Sequence, residues 1–102
     1  MDREYIKALI NRRRRQMLIH SCLYYRMGTS IWSDKEFDTN ARELRDLQNK
    51  YPDIAAEGEW AKEFEDWDAT TGFHLPLENP WVYSMATAIL NLHKRLGGEQ
   101  FE

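Results

Sequence analysis

At 102 residues the chain has the length of one domain with a core of modest size. Apolar residues at 42% and aromatics at 13% suffice for a globular fold, and no apolar run approaches the length needed to span a bilayer. The net charge of −3 hides an uneven distribution: residues 1–28 carry seven Lys/Arg against two acids, and residues 57–68 carry six acids against Lys62. An acidic whole with a basic end suits general nucleic-acid binding poorly. It fits two poles that meet within the fold or orient a protein partner.

Apolar and polar residues nowhere alternate persistently, so the chain reads as helices throughout, an all-α single domain. The N-terminus mixes charges among its apolar residues and lacks the hydrophobic block of a signal peptide, which makes the cytoplasm the expected compartment. One cysteine, Cys22, excludes an intramolecular disulfide framework. A first helix is expected over residues 3–27. Its apolar positions Ile6, Ile10, Met17, Cys22 and Tyr24 make no clean stripe, and Gly28 supplies a left-handed terminus.

Ser33-Asp34-Lys35-Glu36 has the capping-box pattern and starts a second helix. Phe37, Ala41, Leu44 and Leu47 lie on one face of it, and Tyr51-Pro52 ends it, so residues 1–51 form a helical hairpin. A shorter helix is expected over residues 55–67, with Trp60, Phe64 and Trp67 on one side and Gly58 weakening its first turn. Residues 68–79 read as a loop. Asn79-Pro80 then caps and opens a last helix, whose expected buried face is Trp81, Met85, Ala88, Ile89, Leu92 and Leu96, ended by Gly97-Gly98.

Most polar clusters have ordinary explanations. Arg12 to Arg15 spread around a helix and cannot all face one phosphate backbone, so an acid-paired or solvated face is expected. His20, His74 and His93 have no ligand spacing, and His20 and Cys22 at i and i+2 point apart, which argues against a metal site or Cys-His catalysis. The acids Glu57, Glu59, Glu63, Glu65, Asp66 and Asp68 make a solvated face. With Trp60 and Trp67 beside them, Glu63 and Glu65 also form a candidate partner-binding surface.

One constellation is sharper. Asp34 and Asp38, four residues apart, share a face at the start of the second helix, and Tyr24-Tyr25 end the helix before it. An acid at a helix N-terminus is stabilising in itself, which accounts for Asp34 more readily than for Asp38. Two carboxylates opposite two tyrosines can hold a cationic aromatic ring and its ribose: rings stack, hydroxyls donate to carboxylates, and a cation gains from both.

His20, Tyr24-Tyr25, Trp32-Ser33-Asp34-Lys35-Glu36-Phe37-Asp38, Arg42-Glu43-Leu44 and Lys50-Tyr51-Pro52-Asp53 follow one another in a spacing that resembles the N-terminal helical subdomain of bacterial NAD-dependent DNA ligases. The resemblance runs without a gap over residues 12–54, with Phe37 where that family carries a tyrosine. It implies that Tyr24, Tyr25, Asp34 and Asp38 contact the nicotinamide mononucleotide half of NAD. Enzyme adenylation in that family uses the lysine of a K-x-D-G motif, and none occurs here. The expected function is therefore non-catalytic: a ligase-subdomain-like module that binds a nicotinamide nucleotide or docks on a protein through the same face. The alternative is a small acidic helical adaptor or inhibitor, of a kind phages encode, that engages a basic nucleic-acid-handling enzyme.

Overall fold

The computed structural model describes residues 2–96, which form four helices and no strand. Helix α1 (Arg3–Tyr25) begins at Asp2, whose side chain accepts a hydrogen bond from the Glu4 amide at 3.0 Å. It is the central element, packed against the other three helices. That position explains its missing stripe. Ile6, Ile10, Met17, Leu18, Cys22 and Leu23 are all buried although they point to different sides, because neighbours cover several sides of the helix. Tyr24, near the end of the helix, is 52% exposed.

The chain leaves α1 at Arg26, turns at Gly28 with a φ of +64°, and enters α2 (Asp34–Lys50). Both halves of the capping box are made: Ser33 Oγ accepts from the Glu36 amide at 3.1 Å, and Glu36 Oε1 accepts from the Ser33 amide at 2.9 Å. Ala41 and Leu44 are buried against α1, with Phe37 and Leu47 half-buried beside them. Arg13 reaches across the hairpin to Glu43 at 2.9 Å.

The helix expected over residues 55–67 is corrected in both bounds. Helix α3 (Pro52–Glu57) starts at Pro52, whose fixed φ suits a first helical position, and stops before Gly58. Side chains of α1 take the backbone groups that a longer helix would use. The Glu59 amide donates to Asn11 Oδ1 at 2.8 Å, while Arg14 donates to the carbonyls of Ala55 at 3.0 Å and Glu59 at 2.8 Å. A Cβ at Gly58 would meet Asn11 Oδ1 at 2.7 Å, so a larger residue there would push the Asn11 side chain from this contact. Residues 59–66 form turns instead, with Trp60 at a φ of 60°. Phe64 is nevertheless buried, and Trp60 and Trp67 pack partly against the core.

Residues 68–79 form the expected loop, in which Leu75 and Leu77 point inward. Helix α4 (Pro80–Arg95) has its Asn79 cap, accepting from the amides of Trp81 at 2.9 Å and Val82 at 3.4 Å. Its inner face is rotated from the expected one. Val82 and Ala86 are buried and Met85, Ile89 and Leu90 are half-buried, whereas Trp81, Ala88, Leu92 and Leu96 are exposed. The smaller residues bring α4 close to α1, and Trp81 turns toward Trp60, ring centroids 6.1 Å apart. Gly97 and Gly98, expected to end this helix, lie outside the described residues.

Candidate functional site

The end of α1, the loop after it and the start of α2 enclose a cavity of about 150 Å³. The capping box positions its α2 wall: it fixes the first turn, so that Asp34 and Phe37 both line the space. From α1 come His20, Tyr24 and Tyr25; from the connecting loop come Ile31 and Trp32. Thr70, from the loop before α4, also reaches the rim. The spacing of residues 23–38 thus brings three of the four sequence-predicted residues, Tyr24, Tyr25 and Asp34, to one site. Asp38 does not line the cavity; its carboxylate lies 2.7 Å from Arg42 on its own helix.

Aromatic rings define the interior. His20 and Trp32 lie face to face, centroids 3.6 Å apart and 5° from parallel. Phe37 stands edge-on to Trp32 at 6.4 Å, and Tyr24 meets Tyr25 edge-on at 4.8 Å. The Tyr25 hydroxyl is shared with Thr71 Oγ1 at 2.9 Å, and Trp67 Nε1 donates to the Thr71 carbonyl at 2.9 Å, so the 68–79 loop is tied against the tyrosine pair. Burial lowers the His20 pKa to about 4, with Glu36 opposing the shift from a distance. The imidazole is therefore neutral at neutral pH, and its enclosed Nδ1 has no hydrogen-bond partner.

Sequence reasoning missed the His20–Trp32 stack and the contribution of Thr70. The stack joins residues twelve apart through an irregular loop, and Thr70 arrives from a segment with no periodic pattern. His20 and Cys22 diverge as their spacing implies: Cys22 is buried, its Sγ 3.5 Å from the Leu77 carbonyl, and burial raises its thiol pKa. No family model, curated protein or solved structure matches this chain.

The charged clusters largely answer one another. Glu57 pairs with Arg3, and Glu59 Oε1 lies 2.7 Å from Arg15, so the basic and acidic poles meet across α1 and the turn after α3. Arg14 is buried, donating through Nε to Gln48 at 2.8 Å and to the two carbonyls named above. Of the candidate partner surface, Glu63 and Glu65 are exposed, whereas Trp60 and Trp67 are half-buried in internal ring contacts. Among the described residues no group of three or more His, Cys, Asp or Glu is gathered as a metal site, and no helix is long and apolar enough to cross a membrane.

Proposed function

We propose that this chain is a non-catalytic module that binds the nicotinamide end of a nicotinamide nucleotide between α1 and α2. The observation that carries the reading is one cavity that combines Tyr24, Tyr25 and Asp34 with the Trp32 and Phe37 rings. Its chemistry is that of an aromatic cation: ring faces and edges to stack against, and a carboxylate for a positive charge or a sugar hydroxyl. Pockets for drug-sized ligands run to roughly 300–1,000 Å³, so about 150 Å³ holds a ring and leaves the rest of a nucleotide outside. The ligase-subdomain resemblance over residues 12–54 supports the same ligand. The missing K-x-D-G lysine speaks for binding without adenylation.

Titration with nicotinamide mononucleotide or NAD, followed by NMR, tests the reading. The signals of Tyr24, Tyr25, Trp32 and Asp34 should move together and saturate, while those of α4 stay fixed. Phe37→Tyr adds the hydroxyl present in the ligase pattern and should strengthen binding by about 0.5–1.5 kcal/mol, the net worth of one hydrogen bond. Asp38→Asn changes a carboxylate outside the cavity and measures how far the ribose reaches along α2. No saturable shift at millimolar ligand would leave the four residues as hairpin scaffolding.

A second reading, the acidic adaptor or inhibitor, draws on the exposed Glu63 and Glu65 near Trp60 and Trp67, with the exposed Trp81 of α4 against Trp60. Capture of a basic protein that weakens at raised salt and on charge reversal of Glu63 and Glu65 would favour it.

A further inference from the structure

The cavity is unusual for a nucleotide site in what its walls lack. Among the described residues no Lys or Arg lines it, and its one acidic lining residue is Asp34. His20 supplies no positive charge there, since burial keeps its imidazole neutral until the pH approaches 4. Arg26, next in sequence to the tyrosines, is engaged elsewhere: its guanidinium lies over the Phe73 ring at 5.1 Å and 3.9 Å from Glu78. The N-terminus of α2 would ordinarily favour an anion. Here its first turn carries two acids, Asp34 and Glu36, against Lys35, and the Ser33–Glu36 capping box closes it. A phosphate brought into the cavity would meet the Asp34 carboxylate and no cationic side chain among the described residues that line it.

The same walls favour a flat cation. A cation gains from aromatic faces, and a nearby carboxylate adds to that attraction in a partly desolvated space. The volume, about 150 Å³, admits one ring. We propose that the cavity recognises its ligand as a ring cation and has no place for a phosphate, so that phosphate-free N-alkylpyridinium compounds such as nicotinamide riboside are bound at least as well as the mononucleotide. The proposal rests on the nicotinamide reading above and narrows it. The phosphate of any nucleotide that binds would project into solvent, away from Asp34.

Four probes separate this specificity from the reading beneath it: nicotinamide riboside, N-methylnicotinamide (the cation methylated on its ring nitrogen), neutral nicotinamide and nicotinamide mononucleotide. Each is titrated into the full chain at neutral pH and fixed salt, with binding read from the NMR signals of Tyr24, Trp32 and Asp34. The riboside should bind as tightly as the mononucleotide or more tightly, and N-methylnicotinamide should bind at least about tenfold more tightly than nicotinamide, a difference of about 1.4 kcal/mol. Asp34→Asn should erase that tenfold preference. Its effect is read as a ratio between two ligands on the same variant, and the wild-type series stands without it.

A mononucleotide bound about tenfold more tightly than the riboside would overturn the proposal and leave the nucleotide reading intact. Equal binding of nicotinamide and its N-methyl cation, or a preference that survives Asp34→Asn, would overturn it as well. Failure of all four probes to give a saturable shift would remove both the proposal and the reading.

Discussion

Helix α1 buries nine residues and shows no regular apolar stripe, whereas α4 shows a regular stripe and fully buries only Val82 and Ala86. The contrast follows from the number of neighbours each helix has. With helices on several sides, α1 needs apolar groups around much of its circumference, so its periodicity blurs as its burial rises. Packed on one side, α4 keeps a clear period, yet the period does not say which of two adjacent stripes turns inward. Small Val82 and Ala86 won that place from Trp81 and Leu92, which remain 39% and 37% exposed. A weak stripe can therefore mark the centre of a small helical protein.

The strongest test of that asymmetry is Arg14→Ala. The change removes three hydrogen bonds, to Gln48, Ala55 and Glu59, strands the buried Ala55 carbonyl and opens a cavity. Denaturant unfolding should show a loss of about 3–5 kcal/mol. A loss near zero would mean that α1 organises the turn after α3 without its arginine. Ile10→Ala, at a position with 0% exposure, should cost about 2–5 kcal/mol in the same experiment.

A smaller effect comes from His20. An unfolded histidine titrates near 6.5 and the folded His20 near 4, so the unfolded chain takes up the proton first as the pH falls. The contribution to stability is full above about pH 6.5, declines as the pH falls below it, and reaches its lowest near pH 4, where the folded protein also protonates. The loss should be on the order of 1–3 kcal/mol, reduced by solvent reaching the ring edge. His20→Gln should flatten this part of the pH profile.

The smallest change is expected from Leu92→Ala, on the stripe that α4 leaves outside. It should shift stability by no more than about 0.5 kcal/mol. A loss comparable to that of Ile10→Ala would show that Leu92 is covered in solution, and the comparison between the two helices would fail.

What the sequence disclosed follows the reach of each interaction. The Ser33–Glu36 capping box, the Asn79-Pro80 start and the Tyr51-Pro52 boundary were legible because each depends on residues within a few positions of one another. The end of α3 was not legible. It depends on Asn11 and Arg14, which lie 48 and 45 residues from the Glu59 groups they bind. The site divides in the same way. That Tyr24, Tyr25 and Asp34 come to one cavity was legible from spacing across one hairpin, while the His20–Trp32 stack needed a loop path that no pattern encodes. Asp38 shares a helix face with Asp34, but a face is broader than a cavity, and Arg42 holds its carboxylate outside.

Gly72 gives the 68–79 loop a character its composition conceals. A Cβ at that position would fall 2.0 Å from Ser21 Oγ, a hydroxyl that is itself buried and without a hydrogen-bond partner. The loop lies against α1 at this point because a side chain is missing. In a saturation library, position 72 should therefore behave like the interior of a helix bundle, rejecting even alanine, while its exposed neighbours Phe73 and His74 accept many replacements. Variation across relatives of this chain would be constrained by how closely two backbones can meet, and the 68–79 loop would change in length only on either side of that glycine.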